Sequence, residues 1–212
     1  VPQPNWRDDL RDFKKLGRPR LFFGISGGCM DSMVNKYTAN KRLRSEDAYT
    51  PDGRPDMRPD YPSTVYSQIL KKLFPDVPVV IGGIEASLRR LSHYDYWQDK
   101  VQKSILCDSG ADLLIYGMGE KPLADLVKNM KSLLTTEEPV LTSSKFRTII
   151  GSVPQTAYLC RATEWTSAED DLQLYSHEEC LADKKKQASN FRHIEEESNK
   201  YSASRITQAV GN

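Results

Sequence analysis

Ser26-Gly-Gly-Cys-Met-Asp-Ser32 holds the densest set of chemically useful residues in the chain. Two glycines after an apolar run let backbone N–H groups approach a ligand, and a helix opening just beyond favours anionic groups. The segment is similar to the S-G-G-x-D-S loop of ATP pyrophosphatases, whose glycine amides hold the pyrophosphate of ATP. Here two residues, Cys29 and Met30, stand where that loop has one. One extra residue rotates Asp31 and Ser32 by about 100° on a helix, away from the phosphates. The other reading is a tight strand-to-helix turn in which Asp31 or Ser32 caps the helix.

Two further glycine turns follow apolar runs: Gly82-Gly83, and Gly117-Met118-Gly119 with Glu120 next. Glu85 is placed to accept hydrogen bonds from a ligand at the sheet edge, or to pair with Arg89 at i, i+4. His93-Tyr-Asp-Tyr-Trp97 offers a His–Asp pair for acid–base work, or an aromatic lid or docking surface. Arg54 and Arg58, in a Pro-rich stretch, could meet phosphates, though a solvated loop is the reading preferred, and Lys184-Lys-Lys186 reads as an exposed helix face. His177 and His193, in the charged tail, read as surface residues. Cys29, Cys107, Cys160 and Cys180 form no C-x-x-C or C-x-x-x-C pair, so no local zinc or iron–sulfur ligand set is present. No catalytic residue and no metal ligand is assigned.

The elements that must position these groups alternate. Residues 20–26, 77–81 and 112–116 read as strands buried on both faces. Further short strands are expected at 148–150 and 156–159. A helix with Met30, Met33, Val34 and Tyr37 on one side follows the first strand. A second starts from Ser63 as N-cap, and a third opens at Pro122. Such alternation predicts an α/β, open, mostly parallel, doubly wound sheet of Rossmann-like type, with the ligand crevice outside the carboxyl ends of the strands. Residues 1–163 form that domain, and 164–212 a charged helical extension or linker without a second core. The crevice is expected to be lined by Ser26, Gly27, Gly28, Gly82, Gly83, Gly117 and Gly119, with Asp31, Ser32, Glu85 and Glu120 as polar contacts.

The 30 basic and 29 acidic residues nearly balance, so composition announces neither a nucleic-acid nor a membrane-surface protein. No apolar run approaches the roughly 18 residues of a membrane span. Free thiols in a reducing cytoplasm are expected. The chain opens without Met and reads as a piece of a larger protein.

Several blocks carry a resemblance: Gly17-Arg-Pro-Arg-Leu-Phe-Phe-Gly24, Met30-Asp-Ser-Met-Val34, Asp47-Ala-Tyr-Thr-Pro51, Gly82-Gly-Ile-Glu-Ala-Ser-Leu-Arg-Arg90 and His93-Tyr-Asp-Tyr-Trp97. In this order, over nearly the whole chain, they closely resemble the YgiQ-type radical S-adenosylmethionine proteins. The resemblance implies an N-terminal region similar to cobalamin-binding domains, beginning after the family's first strand and helix. It implies a following barrel whose C-x-x-x-C-x-x-C motif would hold a [4Fe–4S] cluster and S-adenosylmethionine. None of that motif lies here, so no cluster ligand transfers to this chain. The D-x-H-x-x-G motif for a lower cobalt ligand is also absent, so cobalamin would bind only without a His ligand. The expected partners are the barrel and an unidentified substrate, which this region would present to the barrel's radical.

Overall fold

The computed structural model describes residues 1–211. In chain order the elements are α1 (Arg11–Lys14), β1 (Phe23–Ser26), α2 (Ser32–Lys36), α3 (Pro62–Leu73), β2 (Val79–Gly82) and α4 (Gly83–Leu88). Then come β3 (His93–Asp95), β4 (Lys100–Gln102), α5 (Ile105–Ser109), β5 (Leu113–Ile115), α6 (Glu120–Lys131) and α7 (Ser143–Phe146). The last are β6 (Thr156–Ala157), β7 (Leu172–Gln173), α8 (His177–Ala182), α9 (Lys184–Ser198) and β8 (Ile206–Thr207).

The chain forms two compact units. Val1–Arg90 and Ile105–Leu159 make the first; Leu91–Ser104 and the segment from Cys160 onward make the second. The first unit is an α/β layer built on a four-stranded sheet of order β1-β2-β5-β6. β1, β2 and β5 are parallel, and the two-residue β6 is antiparallel to β5. The sheet is thus mixed, open and mostly parallel, compatible with a Rossmann-like fold. β2 runs between two parallel neighbours, which is why Val79-Val80-Ile81 is apolar throughout and buried. Alternation sends Ile25, Val79, Ile81 and Leu114 to one face, against Phe13, Tyr66, Leu70, Ile105 and Leu106. Val80, Leu113 and Ile115 go to the other, against Leu126, Met130, Leu141 and Phe146. At the amino ends of the strands the Lys71 ammonium meets the Asp112 carboxylate at 2.5 Å, and that carboxylate also accepts the Val79 N–H at 2.8 Å.

Several local expectations are corrected. The helix after β1 has only five residues: Met33 is buried, while Met30 and Val34 are exposed and Tyr37 is already extended. Tyr61, in the left-handed region, precedes the first turn of α3, with Pro62 opening it. Ser63 therefore sits inside the helix. Residues 148–150 form a turn after α7 instead of a strand. Arg58 is not solvated; it is paired at 3.0 Å with the buried Asp47.

In the second unit, β3 and β4 form a hairpin and β7 pairs with β8 in parallel. Helix α8 is held at its start by a capping box between Ser176 and Glu179. Asn190 of α9 is buried and clamps the backbone of Tyr175, accepting its N–H at 3.0 Å and donating to its carbonyl at 2.9 Å. His177 is buried rather than on the surface, with Nδ1 3.1 Å from Ser92 Oγ. Among the described residues no helix is long and apolar enough to cross a membrane.

Candidate functional site

The site is built at the carboxyl ends of β1, β2 and β5. Ser26 and Gly82 are register partners at the ends of β1 and β2, so the turns that follow them lie side by side. Gly28 and Gly83 both have positive φ, +98° and +83°. A Cβ on Gly83 would stand 2.6 Å from Ser26 Oγ, closer than real Cβ contacts come. Gly83 is thus required both by its backbone and by its neighbour. The Ser26 hydroxyl accepts the Gly28 N–H at 3.2 Å and so closes the first turn. A Cβ on Gly27 would press on Glu85 and Ser63 Oγ at 3.2 Å, which lets the loop lie directly on α3 and α4. Beside them, Gly117 turns the chain after β5 with φ +68°, and its N–H is bonded to Ser87 Oγ of α4 at 3.3 Å. Gln155 fixes this turn from behind by donating to the carbonyls of Tyr116 and Met118. Ser26, Gly27, Gly28, Gly82 and Gly83 therefore come together, and Gly117 is tied to them through Ser87. Gly119 precedes α6, where Glu120 is exposed.

Asp31, Ser32 and Glu85 lie beneath this surface. Asp31 caps α2, its Oδ1 accepting the Met33 and Val34 N–H groups at 3.0 and 3.3 Å. Its other oxygen is paired with the Arg89 guanidinium. Arg89, whose pairing with the Glu85 carboxylate one turn away was one of the two readings, reaches Asp31 and donates to the Glu85 carbonyl at 3.3 Å. The guanidinium also lies 5.2 Å from the centre of the Tyr61 ring. The Glu85 carboxylate, with 0% of the residue exposed, accepts the Ser63 N–H at 2.9 Å and the Ser32 N–H at 3.3 Å. These are unsatisfied N–H groups in the first turns of two helices, where a negative charge is favoured. One carboxylate thus pins α2 and α3 to α4 under the glycine turns. Asp31 and Ser32 are turned into this network, an arrangement unlike a phosphate loop with exposed Asp and Ser.

Two further groups stand at the rim: Arg58, read from the sequence as solvated, and Tyr66, which the sequence reading did not single out. Arg58, paired with Asp47, and Tyr66, 8% exposed, line a cavity of about 570 Å³ that runs from Gly28 along β1. Burial pushes the Tyr66 phenol up to about 12. Burial alone would raise the Asp47 carboxyl, but the Asn35 side chain, the Tyr49 N–H and the Arg58 guanidinium together hold it below its ordinary value. No local pattern could reveal these partners, because Asp31–Arg89 and Asp47–Arg58 are joined only by the tertiary fold.

The donor set does not suit an iron–sulfur cluster. Cys29 and Cys160 are exposed, Cys180 is buried in the second unit, and no three His, Cys, Asp or Glu side chains group to hold a metal among the described residues. The first unit, which bears the crevice, contains no histidine, so it offers no imidazole to a cobalt ion. In the hairpin of the second unit, Asp95 spends Oδ1 on the Trp97 and Gln98 N–H groups at 2.8 and 2.9 Å, which makes it a turn-forming residue.

Over residues 1–212 the chain matches the model of the family described as radical SAM N-terminal. It is 82% identical over 212 residues to a UPF0313 protein of Bacteroides thetaiotaomicron, covering all of this chain and 34% of that protein. It is 65% identical over 211 residues to a UPF0313 protein of Porphyromonas gingivalis, and 44% identical over 211 residues to one of Geobacter sulfurreducens. The chain covers 32% and 33% of these two, and so spans about a third of the length of the relatives it matches. No solved structure matches it. The mostly parallel sheet with its glycine turns is thus the first described unit of a chain that belongs to the radical SAM N-terminal family.

Proposed function

We propose that this chain is the accessory ligand- or substrate-binding region of a radical S-adenosylmethionine enzyme, and that the crevice at the carboxyl ends of β1, β2 and β5 receives the ligand. The observation that carries this reading is the junction of three glycine turns, at Gly28, Gly83 and Gly117, above a buried network. Positive φ at all three brings backbone, with no side chain in the way, to the place where open α/β sheets hold ligands. The Asp31–Arg89 pair and the Glu85 carboxylate fix that backbone from below. In this role Ser26, Gly27, Gly28, Gly82, Gly83, Gly117 and Gly119 line the crevice, and Glu120 lies at its mouth. Asp31, Ser32 and Glu85 position these residues without touching the ligand. The cluster and S-adenosylmethionine are then held by other parts of the full-length protein, and radical chemistry is done there on what this region presents.

The test uses the full-length protein, reconstituted anaerobically. Native mass spectrometry after exposure to a metabolite extract, with hydroxocobalamin and Mg-ATP as separate defined probes, shows what the crevice retains. Gly28→Asn and Gly117→Asn place side chains in the crevice with a residue that tolerates left-handed backbone. A species retained by the wild type and lost from both variants, with iron content and melting unchanged, supports the assignment. A wild type that retains nothing, or variants that retain the same species equally, refutes it.

A further inference from the structure

The glycine turns are bordered by large apolar side chains that the core does not use. Met30 stands two residues after Gly28, Ile84 directly after Gly83, Leu88 directly after Ser87, and Met118 between Gly117 and Gly119. All four are exposed, Leu88 at 63% and Met118 at 77%. They gather because the turns do. A Cβ on Gly83 would lie 3.4 Å from the Gly28 carbonyl, and Ser87 Oγ holds the Gly117 N–H at 3.3 Å. Ile84 and Leu88 are one turn apart on α4 and share its outer face, while Glu85 and Ala86 between them are buried. A single exposed apolar side chain is ordinary; several about one place mark a binding surface.

The charges at the same place are arranged against an anion. The Gly28 and Gly117 N–H groups are taken by Ser26 Oγ and Ser87 Oγ. Asp31 takes the Met33 and Val34 N–H groups, and Glu85 takes those of Ser32 and Ser63. Glu85 also lies in the first turn of α4, and Glu120 in that of α6. The amino ends of α2, α3, α4 and α6 thus each have a carboxylate of the chain itself, where a negative charge is favoured. Arg89 offsets the charge of Asp31. An incoming phosphate would meet spent donors and the Glu85 and Glu120 charges.

Resting on the reading of this crevice as a ligand site, we propose that its ligand is a small molecule with an apolar body and no phosphate or carboxylate. It sits on the glycine backbone and is enclosed by Met30, Ile84, Leu88 and Met118. Turns without side chains lie lower than the long side chains beside them, which gives the concave, mostly apolar form of small-molecule sites. Methionine at two of the four positions suits a body of irregular outline, since its unbranched thioether has three rotatable bonds and makes favourable contacts with aromatic rings. Covering half of one such side chain is worth about fivefold in affinity.

The full-length protein is titrated at low salt with 2-naphthylmethanol, with 2-naphthoate and with inorganic pyrophosphate, and binding is followed by saturation-transfer NMR. Leu88→Gln and Met118→Gln, both at exposed positions, are compared with the wild type. The expected result is that 2-naphthylmethanol binds about tenfold or more tightly than 2-naphthoate, that pyrophosphate does not bind, and that each variant weakens 2-naphthylmethanol about fivefold. Equal or tighter binding of 2-naphthoate, or pyrophosphate binding that Gly28→Asn abolishes, overturns the proposal. No binding of 2-naphthylmethanol, or equal binding by the wild type and both variants, overturns it as well and leaves this face to the rest of the polypeptide. Failure here is separable from failure of the ligand-site reading. A species retained from the metabolite extract and lost in Gly28→Asn and Gly117→Asn keeps the crevice a ligand site. If that species carries a phosphate or carboxylate, or if Leu88→Gln and Met118→Gln retain it equally, only the apolar ligand is refuted.

Discussion

Glu85→Gln removes one charge and almost no volume from the centre of the network, and its effect can be worked from two distances. The carboxylate accepts the Ser63 N–H at 2.9 Å and the Ser32 N–H at 3.3 Å, in a residue with no exposed surface. A Gln side chain keeps one acceptor oxygen, which serves Ser63, and turns an NH₂ toward the Ser32 N–H. One charge-assisted bond of about 1.5–3 kcal/mol is lost, and a buried donor is left facing another donor. The expected loss of local stability is about 2–4 kcal/mol, since a water molecule can relieve part of the donor clash. Native-state hydrogen exchange reads this where it acts. The Ser32 and Met33 amides should exchange about 30- to 700-fold faster, because each 1.4 kcal/mol is a factor of ten. Ser63 should change less, having kept its acceptor. Glu120→Gln, at the exposed start of α6, is the control and should stay within about 0.5 kcal/mol. If Ser32 exchange moved by less than threefold, Glu85 would not be the pin between α2 and α3, and the rigidity claimed for the glycine turns would fail.

Asp31→Ala strands the Arg89 guanidinium and removes the cap of α2, so denaturant melts should show a loss of about 3–5 kcal/mol. Asp31→Ala with Arg89→Met should recover part of it, and a double variant no better than the single would show that the pair is not coupled. Gly83→Ala should destabilise more than Gly28→Ala, because both have positive φ but only at Gly83 would the new methyl meet an atom, Ser26 Oγ at 2.6 Å; equal melting temperatures would contradict this. For pH, the Asp47 carboxyl is held below its ordinary value, so its stabilisation is present above about pH 3.9 and is lost as pH falls through the folded value. Asp47→Asn should flatten the acid limb of the stability curve below that point, and an unchanged limb would show that the Asn35, Tyr49 and Arg58 contacts do not favour the ionised carboxylate. In the alkaline range Tyr66, pushed up to about 12, keeps its proton when the unfolded phenol has lost it, so stability falls between about pH 10 and 12. Tyr66→Phe should lessen that fall.

How much was legible follows the range of the forces involved. The three parallel strands were readable because burial on both faces demands unbroken apolar runs, as at Val79-Val80-Ile81. Their carboxyl ends were readable because glycine is the residue that positive φ selects, at Gly28, Gly83 and Gly117. The polar residues were harder. Asp31 was foreseen as a possible cap, but its bond to Arg89 spans 58 residues. The nearer partner, Glu85, sits at the favoured i, i+4 spacing and misled for that reason, since its carboxylate satisfies backbone donors with no local signature. Arg58 looked solvated amid prolines and charges, and only the fold shows Asp47 opposite it. His177 looked exposed for the same reason: its cover, Ser92, lies 85 residues away.

That distance also sets a timetable. Leu91–Ser104 belongs to the second unit, although the first unit resumes immediately after it at Ile105. Ser92 shares a hydrogen bond with His177 through its hydroxyl and donates its N–H to Gln208 Oε1, 116 residues downstream. At about 5–20 residues per second, a growing chain exposes this hairpin for about 6–23 s before the last partner is made. The first unit, closed by β6 at Thr156–Ala157, has every strand of its sheet in this chain well before then. The hairpin His93–Gln102 therefore waits for the rest of its own unit while every strand of the first unit's sheet is already synthesised, so the order of synthesis makes the second unit the last to close.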